Sequence, residues 1–172
     1  MRRSRAIYGC GGPVLSADEQ AFFRDARPWG FILFARNIQT PDQIKSLVRA
    51  LRETVEDPSA PVLIDQEGGR VARLKPPHWH ERPPAARFGA LHDVNPESAR
   101  EATYLNARLI AQDLTELGIN VDCLPVLDVP VAGAHDVIGD RAFAHDSSTI
   151  IDLGRAQIEG LMEGERAFQL VR

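Results

Sequence analysis

Four short apolar runs punctuate the chain, and between them hydrophobic residues recur at three- and four-residue spacing. The runs, roughly Ala6–Tyr8, Gly30–Phe34, Val62–Ile64 and Ile119–Cys123, have strand length and predict β-strands. Val62 to Ile64 shows no polar alternation, which predicts a strand covered on both faces, as in parallel sheets. The intervening stretches predict helices. Ser16 and Glu19 form a capping box that opens a short helix carrying Phe22 and Phe23. Thr40-Pro41 supplies a cap and a first-turn proline, with Gln43 completing a second box. Ile44, Leu47, Val48, Leu51 and Val55 form the apolar face of that helix, and Pro58 lies beyond its end. Asn95-Pro96 opens a third helix with Ala107, Ile110, Leu114 and Leu117 on one side and Gly118 as its stop. Asp146 or Ser147 opens a fourth, with Ile151, Gly154, Ile158 and Leu161 in phase.

Strand–helix alternation of this kind predicts an α/β fold with parallel pairing and right-handed crossovers. The Gly68–Asn95 connection is long, rich in Pro, Arg and His, and leaves the C-terminal end of the third strand. Ligands of parallel sheets bind at such ends, so this segment reads as a site loop.

Composition narrows the functional classes. The 172 residues are 44% hydrophobic and 26% charged, enough for one domain with its own core. A net charge of −4 gives no footprint for nucleic acid or an anionic membrane. No stretch reaches the roughly 18 apolar residues of a spanning helix. Cys10 and Cys123 are too few for a disulfide framework; each reads as a small buried apolar group, and a cytoplasmic setting is expected.

The densest chemistry follows the third strand, in Asp65-Gln66-Glu67-Gly68-Gly69-Arg70-Val71-Ala72-Arg73. Asp65 either caps a turn or binds ligand. Gly68-Gly69 permits close backbone approach, and Arg70 and Arg73 bring planar donors to the same mouth. A carboxylate and a guanidinium in one cleft suit a polyhydroxylated ligand. Glu67 reads as the structural partner of Arg70 or Arg73, and Asp128 as a residue orienting an arginine from behind. Arg141, taken alone, reads as a surface residue bridged to Asp140. Arg36 and Asn37 read as stitching between loops. His78-Trp79-His80 reads as an exposed loop, without the helical spacing or Cys partner of a metal site. Gly9-Cys10-Gly11-Gly12 lacks the third glycine of a nucleotide fingerprint. No metal and no cofactor are expected.

The order GFILFARN, LIDQEGGRVARL, GINVDCLPVLDV and IGDRAF resembles the N-terminal half of the bacterial β-N-acetylhexosaminidases of glycoside hydrolase family three, over roughly Ala6 to Gly164. The resemblance implies half of a (β/α)₈ barrel, with about four parallel strands, intervening helices and no closure. It implies removal of terminal N-acetylglucosamine from peptidoglycan fragments during cell-wall recycling in the cytoplasm. It places Asp65, Arg73 and Arg141 on the terminal sugar, overriding the surface reading of Arg141. The family's acid/base histidine follows a Lys-His-x-Pro-Gly-His-Gly motif after the fifth strand, and neither it nor the nucleophile's motif occurs here; the chain is expected to be inactive alone. Residues 1–164 are therefore expected to be a partial catalytic barrel and 165–172 a non-family tail left by a frameshift or truncation. A barrel of this type takes about 250 residues and eight strands, so the open edges are expected to drive self-association. The alternative to the enzyme is a non-catalytic sugar-binding or interaction module.

Overall fold

The structure is a computed structural model that describes residues 3–131, 133 and 136–164. The expected tail, 165–172, and His135 lie outside the described residues. Strand β1 (Ser4–Tyr8), helix α1 (Ala17–Ala26), β2 (Pro28–Leu33), α2 (Pro41–Thr54), β3 (Val62–Ile64), α3 (Ala85–His92), α4 (Pro96–Glu116), β4 (Val121–Asp122) and α5 (Ser147–Gly164) follow one another along the chain. Short 3₁₀ turns occupy Ala35–Asn37 and Gly139–Arg141. Among the described residues four strands pair in parallel in the order β1-β2-β3-β4, and the sheet they form does not close.

Local sequence accounts for the helix starts. Ser16 Oγ accepts from the Glu19 N–H at 3.2 Å while Glu19 accepts from the Ser16 N–H at 2.9 Å, the reciprocal box expected. Thr40 caps α2 and Asn95 caps α4, each ahead of a first-turn proline. Gln43 departs from its expected role. Its Oε1 accepts from the Gln39 N–H, and its Nε2 donates to Pro13 and Asn37 carbonyls, so it pins the loop before α2 instead of completing a box. Asp146 caps α5 by accepting from the Thr149 N–H.

The main core joins β2 and β3 to α2 and α4 through Phe31, Leu33, Val62, Ile64, Ile44, Leu51, Ile110 and Leu114. A smaller cluster of Phe88, Ala99, Phe143, Ile150 and Leu153 ties α3, α4 and α5 together. Helix α5 keeps the expected phase at Gly154 and Leu161, both buried, and departs from it at Ile151, which is 61% exposed while Ile150 and Leu153 point inward. Ile150 and Leu153 share the smaller buried cluster with Phe88 and Phe143. Helix α3 lies within the segment expected to be an unpatterned loop. At eight residues with no side-chain cap it is too short to show periodicity. Strand β4 is shorter than expected because the Asn120 side chain takes the Val62 N–H at 2.8 Å, although Asn120 and Cys123 N–H groups still donate to β3 carbonyls. No helix among the described residues is long and apolar enough to cross a membrane.

Candidate functional site

Strand β3 is buried throughout and ends at Asp65, where the chain turns outward. The turn is tight. The Glu67 and Gly68 N–H groups both donate to the Val71 carbonyl, at 2.9 and 3.2 Å. Gly68 and Gly69 have φ of +100° and +55°, and a Cβ on Gly68 would stand 2.4 Å from the Pro83 carbonyl oxygen. Glycine is required there by both conformation and space. The loop thereby returns Arg73 to its origin, where Arg73 Nη2 donates to Asp65 Oδ2 at 2.7 Å. The two side chains are 24% and 23% exposed, so the pair is partly shielded and still reachable. Arg73 Nε is buried and has no partner among the described residues.

Arg141 arrives from the turn before α5. Its Nε and Nη2 donate to the two oxygens of Glu67 at 2.8 and 2.7 Å, a bidentate pair with Glu67 8% exposed. That contact corrects two expectations. Glu67 pairs with neither Arg70 nor Arg73, and Arg141 is not bridged to Asp140. Arg70 takes Asp140 instead at 2.9 Å, and also donates to the Val137 and Ile138 carbonyls. The planar fork of Arg141 fits a buried carboxylate, while the exposed Arg70 lashes the two loops on the outside. Donating to the Glu67 carboxylate holds Arg141 protonated more firmly still, with Asp128 and Asp65 adding charge from farther away. Asp128 is exposed and forms no ion pair among the described residues, so Glu67, and not Asp128, orients the arginine.

Beneath this surface lies a buried polar layer that the sequence did not single out. Asp122 has no exposed surface and accepts the Gln66 N–H at 3.0 Å. Burial pushes its carboxyl well above the usual range, and Asp65 and Glu67 push the same way. Its Oδ2 has no partner among the described residues. Cys123, half-buried instead of fully buried as expected, lies beside Asp65; burial first, then Asp65, push its thiol up to about 12. The one signal available in the sequence was a carboxylate within an otherwise apolar strand, Asp122.

The remaining candidates sit apart. Asn37 donates to the Cys10 and Gly12 carbonyls and Arg36 to the Cys10 carbonyl, which is the stitching expected of them. His78 and His80 are exposed, whereas Trp79 packs on the core, contrary to an exposed aromatic. A hollow of about 640 Å³ lies at the opposite end of the sheet, between the last turns of α2 and α4.

Comparison with known proteins fixes the frame for this geometry. Residues 14–168 match the glycosyl hydrolase family 3 N terminal domain. The chain is 34% identical over 155 residues to a beta-hexosaminidase of Xylella fastidiosa, covering 90% of this chain and 45% of that protein. It is 35% identical over 150 residues to a beta-hexosaminidase of Bordetella pertussis, covering 87% and 42%. The chain thus spans about half the length of the curated relatives it matches. Among solved structures, NagZ from Neisseria gonorrhoeae in complex with N-trifluoroacetyl-D-glucosamine superposes with a TM-score of 0.87 at 28% identity, covering 94% of this chain and 47% of that one. A family 3 β-N-acetylglucosaminidase from Paenibacillus gives 0.80 at 28% identity, covering 92% and 29%. With that match running through strands β2 to β4, the Asp65 turn and the Arg141 turn, this chain belongs to glycosyl hydrolase family 3 as a stretch of its N-terminal domain.

Proposed function

We propose that this chain supplies the sugar-recognising half of a β-N-acetylhexosaminidase that releases terminal N-acetylglucosamine from peptidoglycan fragments in the cytoplasm. The observation that carries the reading is the Asp65–Arg73 pair, held at 2.7 Å at the tip of β3 with a guanidinium nitrogen left unpartnered. A carboxylate there accepts from sugar hydroxyls while the guanidinium donates to others, and such charge-assisted bonds exceed neutral ones in strength. Arg141, fixed by Glu67, is the third sugar contact. The N-trifluoroacetyl-D-glucosamine bound by the gonococcal relative is an amino sugar and supports the substrate class.

Retaining hydrolysis needs a nucleophilic carboxylate and a proton donor on either side of the scissile bond. Asp65 is committed to Arg73 and takes neither step. Both steps fall to groups outside these residues, and the chain binds without turning over.

The test is a titration of the chain with N-acetylglucosamine, paired with an assay on a nitrophenyl N-acetylglucosaminide. Saturable binding is expected, weakened in Asp65→Ala and Arg73→Ala because each removes a charge-assisted contact to the sugar. No nitrophenol release is expected. Absence of binding would overturn the sugar reading. Turnover that disappears in Asp65→Ala would place catalysis within this chain and overturn the division of labour.

A further inference from the structure

We propose that Gln66 is the positioning residue that sets the Asp65–Arg73 pair, by tying the backbone on which Arg73 stands to the end of β3. Arg73 lies eight residues beyond Asp65, beyond a turn whose tip is exposed. An arginine on a long flexible stem holds one position only if its backbone is held first. Gln66 does this with a single planar group. Its Oε1 accepts from the Arg73 N–H and the Leu74 N–H, each at 2.9 Å, and its Nε2 donates to the Leu74 carbonyl at 3.2 Å. Its own N–H donates to Asp122. Gln66 is 4% exposed and Leu74 2%, so the strut is buried and anchored at both ends.

No other side chain meets the same demand. The site needs an acceptor with two lone pairs and a donor on one short frame. Asparagine is one methylene short of the loop. Glutamate has no donor for the Leu74 carbonyl and would bury a charge beside Asp122. An apolar residue of equal volume leaves two N–H groups unpaired, the Leu74 one buried. Holding a binding constellation through a locked supporting layer is how a site keeps its geometry without ligand.

The inference rests on the sugar-binding reading for only one of its two readouts. The first is amide hydrogen exchange on the full chain. The Arg73 and Leu74 amides are expected to exchange more slowly than that of Arg70 at the turn tip. In Gln66→Met they lose about tenfold or more of that protection while Leu63 and Ile64 keep theirs. The second readout is N-acetylglucosamine affinity. Gln66→Met is expected to weaken binding by about tenfold or more. Val48→Ala, a buried α2 variant away from the site, stays within about twofold. Wild-type Arg73 and Leu74 amides exchanging as fast as Arg70 would overturn the proposal, and this holds even if Gln66→Met does not fold. Undiminished binding by a folded Gln66→Met protein would overturn it as well. Slow exchange at Arg73 and Leu74 in a chain that fails to bind N-acetylglucosamine would support the strut and sink the sugar reading alone.

Discussion

Asp122 lies under the turn that carries Asp65, with no exposed surface and one oxygen unpartnered. Desolvation is the largest influence on it, only partly offset by hydrogen bonds from the Gln66 and Cys123 backbone. The unfolded chain releases this proton near the ordinary aspartate value of about 3.9. The folded chain keeps it to a higher pH, so across that interval the native state binds more protons than the unfolded one. Stability contributed by Asp122 is therefore complete below the unfolded value and is lost as pH rises toward the folded one. Asparagine preserves the acceptor for the Gln66 N–H and cannot ionise. Asp122→Asn is expected to gain on the wild type as pH rises above 4, by about 1.4 kcal/mol per unit while the interval lasts. Thermal melts at a series of pH values measure this directly; a difference that ignores pH would mean the buried carboxyl titrates as it does unfolded. Asp146 has the opposite sign. Hydrogen bonds from Ser148 and Thr149 pull it down to about 2, so its contribution is present above the unfolded value and fades as pH falls.

Helix α3 shows what packs the site loop against the rest of the sheet's covering. Gly89 presses on the turn that follows Arg141: a Cβ there would meet the Phe143 carbonyl oxygen at 1.7 Å, backbone against backbone. At the far end of α3, His92 Nε2 donates to Asp152 on α5 at 3.0 Å, and Arg100 of α4 joins the same carboxylate. Gly89→Ala cannot be accommodated without moving α3 or the 142–144 segment. A loss of about 1–3 kcal/mol is expected in denaturant unfolding, as for overpacked cores; a variant as stable as wild type would show that this contact yields freely. The same helix marks the limit of sequence reading. Strands and capped helices were legible because each carries its own signal, an apolar run such as Val62–Ile64 or a cap such as Ser16, Thr40 or Asn95. Helix α3 and the inward side of α5 at Ile150 and Leu153 are joined in one cluster with Phe88 and Phe143, residues far apart in the chain, and no local pattern records that. The site divides in the same way. Asp65 and Arg73 were legible because one strand end and one glycine turn bring them together. Glu67 choosing Arg141 over the nearer Arg70 was not, since that choice is made between loops that only the sheet brings together.

At the scale of the molecule, the four strands among the described residues leave β1 and β4 as edges, each with backbone groups open to another chain. Apolar surface accompanies both. Ile7 on β1 is 42% exposed, and beyond β4 Leu127 and Val129 face Ile151 and Ile158 of α5 across a groove of about 500 Å³. A barrel of this family's kind closes with about eight strands. We therefore expect the 172-residue chain to self-associate, with an average mass in sedimentation that rises with concentration. Ile151 is 61% exposed on α5, so Ile151→Lys leaves the helix intact and should shift the distribution toward monomer. A single sharp monomer at every concentration, with a cooperative melt, would refute the expectation. The sugar titration is separable from this behaviour. Asp65 and Arg73 stand at the tip of β3, an inner strand with neighbours on both sides, and pairing along β1 or β4 does not pass over it. Ile151→Lys should accordingly bind N-acetylglucosamine as the parent chain does while associating less, and a parallel loss of both would place the association across the sugar site instead of along the edges.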